Sequence, residues 1–142
     1  MNTAYLLTGG NMGNRLNHLR QAAEWIQQKC GKILAQSSIY ETEAWGKTDQ
    51  PAFLNQALQV ETDLSPDALM QALLDIETAM GRTRTIKMGP RIIDLDILLI
   101  DDLIQTSALL TIPHPALTLR KFALLPLAEI APLLIHPLEK KS

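Results

Sequence analysis

Apolar residues recur along the chain with two periods. Ala4 to Leu7 form a short apolar run that reads as a strand over 3–8. Leu16, Leu19, Ala22, Ala23, Ile26 and Cys30 then recur at three- and four-residue steps, the stripe of a helix over about 14–30. Asn14 can cap that helix and Gly31 can end it. Lys32 to Glu43 reads as one long strand, with Ile33, Ala35, Ser37, Ile39 and Glu41 on one face, and neither face is cleanly apolar. Phe53 to Thr62 is a third strand, with Phe53, Asn55, Ala57, Gln59 and Glu61 sharing a face. Ser65-Pro66 opens a second helix over 65–80, whose buried face is Leu69, Leu73, Ile76 and Met80 and which Gly81 ends. A fourth strand covers 94–100, and Asp101-Asp102 turn the chain into a short return strand at Leu103-Ile104. Ala123 to Ile130 reads as a short apolar helix despite Pro126. The order βαββαβ predicts an α+β fold of the ferredoxin-like plan, a mainly antiparallel sheet with both helices on one face.

Composition narrows the class. A chain of 142 residues, 46% of them hydrophobic, is long enough to bury a core as a single domain over 1–142. Its net charge of −2 offers no overall basic field for nucleic acid. Cys30 stands alone, so no intramolecular disulfide or cysteine zinc site is readable, and it reads as a small buried apolar residue. No charged leader precedes Ala4 to Leu7, and no apolar run is long enough to span a membrane. A soluble monomer in the cytoplasm is the expectation.

The pattern breaks most sharply at the fourth strand. Asp94 and Asp96 interrupt an apolar run two residues apart, so their carboxylates project from the same face. Two such groups repel each other unless a cation lies between them. Just upstream, residues 82–91 carry Arg82, Arg84, Lys87 and Arg91 and no acid. A cationic loop leading into a two-carboxylate strand suggests a metal ion and a phosphate, arginine being suited to bidentate phosphate contacts. Other segments take their meaning from this one. Gly9, Gly10 and Gly13 could let a ligand approach the backbone, or could simply turn a strand into a helix. Trp45, on a loop bounded by Gly46 and Pro51, is either a ligand platform or a side chain folded back on the core. Asn55 beside Phe53 could read the edge of a flat heterocycle while the ring stacks on its face. His114, between Pro113 and Pro115, has a rigid backbone and could donate to a phosphate. Glu77, an acid in the last turn of a helix, reads as a salt-bridge partner for Arg82 or Arg84.

These pieces together resemble a known family. The glycine-rich loop after the first strand is followed by Asp49-Gln50-Pro51 with Phe53-Leu54-Asn55, then by Gly81-Arg82-x-Arg84 and Gly89-Pro90-Arg91-x-x-Asp94-Leu95-Asp96. Pro113-His114 and Arg120-x-Phe122 complete the set. In this order, over nearly the whole chain, they resemble the 6-hydroxymethyl-7,8-dihydropterin pyrophosphokinases of folate biosynthesis. The resemblance implies transfer of pyrophosphate from ATP to the pterin hydroxymethyl group, releasing AMP. It implies two magnesium ions on Asp94 and Asp96, and a triphosphate held or assisted by Arg82, Arg84, Arg91, His114 and Arg120. Arg82 and Arg91 join the two aspartates as catalytic residues on this reading. The pterin would lie between Phe53 and Phe122, with Thr42, Asn55 and the backbone around Ala44 and Trp45 at its polar edge. The chain departs from the family's common pattern at Phe53, where tyrosine is frequent, and at Lys87-Met88, where Arg-Trp is frequent. A DxD pair with basic residues also suits nucleotidyl or glycosyl transfer, and a ferredoxin-like module that only binds a nucleotide is a further alternative.

Overall fold

In the computed structural model, the described residues are 1–42, 52–81, 92–101, 103, 105–106, 111–112 and 121–130. Their elements run β1 (Asn2–Gly10), α1 (Arg15–Lys29), β2 (Lys32–Gln36), β3 (Tyr40–Thr42), β4 (Phe53–Thr62), α2 (Pro66–Ala79), β5 (Asp94–Ile100), β6 (Gln105–Thr106), β7 (Thr111–Ile112) and α3 (Lys121–Ile130). The main sheet has the order β2-β4-β1-β5, with β3 added to β4, and every pairing is antiparallel. That is the strand order of the βαββαβ plan, with β1 and β4 at its centre.

The helices form where their ends are provided for. Asn14 caps α1 by accepting the backbone N–H of Asn17 at 3.1 Å, and Ser65 caps α2 through Ala68 at 3.2 Å. Leu19, Ala22 and Ile26 of α1, with Leu69, Leu73 and Ile76 of α2, close over Ala4, Leu6, Leu58, Val60, Leu95 and Ile97 of the sheet. Gly31 follows α1 without the positive φ of a left-handed cap. Its lack of a side chain serves a close approach, since a Cβ there would run into the Glu61 carbonyl oxygen.

The opposite face of the sheet is covered by α3, whose Leu127 packs with Leu7, Leu98 and Leu99. A bulge makes this cluster possible. The pairing of β1 with β5 passes from Tyr5↔Leu99 to Leu6↔Ile97, so Leu98 is an extra residue. Leu98 and Leu99 thereby both join α3's cluster, while Ile97 and Ile100 belong to the core under α1 and α2. Glu129 anchors the far end of α3. Its carboxylate accepts from the Tyr40 hydroxyl at 2.6 Å and from the Ser38 backbone N–H at 2.7 Å. The Tyr40 bond and then the Ser38 bond hold the Glu129 carboxyl below its usual range, and the same hydrogen bond raises the Tyr40 phenol.

Three expectations need correction. The long strand over 32–43 is two strands, because residues 37–39 leave the ladder. Ser37 is the reason: its N–H donates to the Ala57 carbonyl, and its side-chain hydroxyl replaces a backbone carbonyl in accepting the Ala57 N–H, both at 2.9 Å. A second irregularity lies between Ile33 and Ala35, and Leu34 is an exposed apolar residue on the outer face of β2. The first strand also runs on through Gly9 and Gly10, so these two glycines belong to the sheet. The short return hairpin pairs Gln105–Thr106 with Thr111–Ile112, two residues later than the expected Leu103-Ile104, of which Ile104 lies outside the described residues. Asp101 makes the turn as expected, at φ 46, with its Oδ1 accepting the Thr3 N–H.

Ser37→Ala is expected to lower stability by about 1–3 kcal/mol, because it leaves the buried Ala57 N–H without its acceptor. Urea unfolding would show it as a lower midpoint at unchanged slope, and an unchanged midpoint would contradict the role given to Ser37. The α3 anchor carries a pH dependence of defined sign. Glu129 is depressed, so its contribution is present above the ordinary carboxylate range and lost as pH falls through its lowered value. Tyr40 is raised, so its contribution is complete below the ordinary value of 10.0 and is lost as pH rises beyond it. Hydrogen-exchange protection of the Ser38 amide should therefore hold across neutral pH and fall only at the acid and alkaline ends. A loss beginning near neutrality would contradict the assignment.

Candidate active site

β1 brings the chemical residues together. Its Gly9 pairs with Asn55 on β4 and with Asp94 on β5, and its Leu7 pairs with Ala57 and Asp96. Residues paired across an antiparallel ladder share a face. Asn55, Asp94 and Asp96 therefore lie on the side of the sheet that α3 covers, away from the core under α1 and α2. With strands about 5 Å apart, the Cα atoms of Asn55 and Asp94 are about 10 Å from each other across Gly9. Phe53 is two residues before Asn55 on the same face, and Thr42 pairs with Phe53 from β3.

Gly9 is as informative as its neighbours. A Cβ at this position would sit 2.5 Å from Oδ1 of Asn55 and 3.2 Å from the Leu54 carbonyl oxygen. The Asn55 amide occupies the space that a side chain at position 9 would take. Asn55 is 4% exposed, so its orientation is held by packing as well as by polar contacts. Asp94 and Asp96 are half-exposed at the start of β5. Nearby, Arg15 at the start of α1 donates to Glu41 at 3.1 Å and to the Ala52 carbonyl at 2.9 Å. It ties the end of β3 to the approach to β4, next to Thr42 and Phe53.

Sequence reading did not foresee one contact of Glu77. It is 2% exposed at the end of α2, and its Oε2 accepts the backbone N–H of Leu95, between the two aspartates, at 2.7 Å. The expected salt-bridge partners, Arg82 and Arg84, lie outside the described residues. The available signal was an acid at a helix end that disfavours acids. Burial could not be read from that signal. Arg91, Ala44, Trp45, His114 and Arg120 also lie outside the described residues, and Thr42 and Phe122 are described by their backbone alone. Phe122 is the second residue of α3.

The donor set suits a hard cation. Among the described residues no group of three or more histidines, cysteines or acids converges; Asp94 and Asp96 are a pair on one face of β5. Magnesium characteristically takes one or two carboxylates and completes its shell with phosphate oxygens and water. A groove of about 520 Å³ between α1 and β2, lined by Leu16, Ile33 and Ile39 among others, contains none of these residues.

Known proteins resemble this chain over most of its length. The family model for 7,8-dihydro-6-hydroxymethylpterin-pyrophosphokinase matches residues 5–132. The chain is 44% identical over 131 residues to the 2-amino-4-hydroxy-6-hydroxymethyldihydropteridine pyrophosphokinase of Bacillus subtilis, covering 91% of this chain and 78% of that protein. It is 40% identical over 141 residues to the enzyme of the same name from Aquifex aeolicus, covering 99% and 88%. It is also 44% identical over 135 residues to the folic acid synthesis protein fol1 of Schizosaccharomyces pombe, covering 94% of this chain but spanning only 18% of that longer protein. Among solved structures, the HPPK-DHPS of Plasmodium falciparum with SDX-DHP superposes with a TM-score of 0.78 at 19% identity. That match covers 100% of this chain and 42% of the other, and it speaks for the fold alone. On the extent of the family match and the identity to relatives of similar length, the chain belongs to the 7,8-dihydro-6-hydroxymethylpterin-pyrophosphokinase family.

Proposed function

We propose that this chain transfers the pyrophosphoryl group of ATP to the hydroxymethyl group of 6-hydroxymethyl-7,8-dihydropterin, with Asp94 and Asp96 as the metal ligands. ATP as co-substrate and the pterin as acceptor belong to the family's reaction. The observation that carries the assignment of residues is the pairing of Gly9 with both Asn55 and Asp94. It sets Asn55 and Asp94 on either side of a glycine, which supports reading the first as a recognition amide and the second as a cation ligand.

Each residue then has a task. Asn55 offers both a donor and acceptors to the polar edge of the pterin, and Phe53 offers its ring to the pterin face. Phe122 on α3 supplies the second ring, and Thr42, Ala44 and Trp45 complete the acceptor site. Asp94 and Asp96 would hold the two magnesium ions expected. Bound magnesium would supply neutralisation of the charge on the transferring group and on the attacking oxygen. Arg82, Arg84, Arg91, His114 and Arg120 would hold the triphosphate, with Arg82 and Arg91 counted among the catalytic residues. The pterin hydroxyl oxygen bonds to the β-phosphorus while the bond from that phosphorus to the α,β-bridging oxygen breaks. AMP departs with the bridging oxygen and the hydroxyl proton passes to solvent. Such a transfer depends mainly on positioning and charge, so no base with a strongly shifted pKa is required.

A monomeric enzyme built as a single domain over 1–142 is part of this proposal. Among the described residues no helix is long and apolar enough to cross a membrane. A cytoplasmic site of action is part of the proposal. The net charge of −2 favours small-molecule substrates over nucleic acid.

Incubation with ATP, Mg²⁺ and 6-hydroxymethyl-7,8-dihydropterin is expected to yield AMP and the pterin diphosphate. AMP release independent of the pterin, or its absence, would overturn the reading. Asp96→Ala is expected to lower kcat by ~100-fold or more, since several kcal/mol of charge stabilisation depend on the metal it holds. A folded Asp96→Ala protein with wild-type turnover would refute its role as a ligand.

A further inference from the structure

We infer that Glu77 is a positioning residue for the metal-binding pair, acting through the backbone of β5 and not through contact with substrate. This inference rests on the assignment of Asp94 and Asp96 as metal ligands. The N–H of Leu95 belongs to the peptide unit that joins Asp94 to Leu95. The orientation of that unit sets ψ of Asp94 and φ of Leu95, and so, together with the Leu95–Asp96 unit, the direction of the Asp94 side chain relative to that of Asp96. β5 ends the strand order of the main sheet, and Asp94 is its first residue. A strand's first peptide at a sheet edge is held by a ladder on one side only, so it needs a second restraint to keep a fixed orientation.

Glu77 supplies that restraint. Oε2 accepts the Leu95 N–H at 2.7 Å, at the short end of the range for a charge-assisted bond. The carboxylate is 2% exposed, and its helix is anchored beside it by Leu73 and Ile76 in the main core. Burying a carboxylate is unfavourable unless it is hydrogen-bonded, and the Leu95 N–H is one of the groups that meet this need. Leu95 itself packs into the same core, with 1% exposure. Its side chain and its N–H are thus both tied to the body of the protein, while Asp94 and Asp96 on either side face the other way. The arrangement fits partners placed one bond behind metal ligands, which fix ligand direction and whose loss weakens metal binding by about 10–100-fold.

The test measures metal affinity apart from turnover. Mn²⁺ binding is followed by electron paramagnetic resonance in the presence of a non-hydrolysable ATP analogue, on variants shown by circular dichroism to be folded. Glu77→Leu is expected to weaken Mn²⁺ binding by ~10-fold or more. Glu77→Gln, which keeps an acceptor oxygen but removes the charge, is expected to remain close to wild type. A folded Glu77→Leu with wild-type affinity overturns the inference, and so does a Glu77→Gln as weak as Glu77→Leu, which would mean a long-range charge effect. Should Glu77→Leu fail to fold, Glu77→Asp, with its acceptor drawn back by one methylene, takes its place under the same criteria. Asp96→Ala separates this inference from the reading beneath it. If Asp96→Ala leaves Mn²⁺ binding intact, the metal assignment fails and the inference with it. If Asp96→Ala abolishes binding while the Glu77 variants do not change it, the inference alone fails.

Discussion

Everything in the candidate site depends on the register of β1 against its two neighbours. Gly9 pairs with Asn55 on one side and Asp94 on the other, and the same alternation sends Leu6, Leu58, Leu95 and Ile97 into the core under α1 and α2. A slip of one residue in β5 would exchange the two sets. It would turn both aspartates into an apolar core, at a cost far above the stability of a domain this size, and expose the leucines. Burial on one face therefore enforces the placement of charge on the other. The energy that fixes the carboxylates is mostly hydrophobic, and it acts on residues that never touch a ligand.

The second level of control is applied to the strands from their ends and edges. Glu77 holds the peptide between the aspartates. Arg15 joins the end of β3 to the approach to β4. Glu129 fastens α3 to Ser38 and Tyr40. These are polar contacts linking elements distant in sequence, and each braces a strand or helix carrying residues of the proposed acceptor or metal site. Exposed ion pairs such as Arg15 with Glu41 add little to stability, so their significance lies in geometry. The buried Glu77 differs in degree, because its removal would leave a peptide N–H unmatched in the interior.

Much of the architecture was legible from local pattern alone. The two helices of the core announce themselves by stripes and caps, and β5 by an apolar run of the right length, because these features depend on near neighbours in the chain. The segment over 32–43 was less legible. Its division into β2 and β3 arises from Ser37, whose hydroxyl takes the Ala57 N–H from a strand twenty residues away. The extension of β1 through Gly9 and Gly10 was hidden for a similar reason. Glycines usually mark a turn, and only the amide of Asn55 against Gly9 explains a glycine within a central strand.

The amino-acid sequence by itself determined the order of elements, the alternation that puts Asp94 and Asp96 on one face, and the motif set that the family shares. Periodicity and short spacing suffice for these, because side-chain direction in a strand follows from residue number alone. Only the tertiary structure decided that Asn55 and Asp94 meet across Gly9, that α3 covers the face they occupy, and that Glu77 is buried against Leu95. Those facts depend on strand register and on helix placement over the sheet. Both are settled by the shared burial of residues far apart in the chain, which no local window of sequence contains.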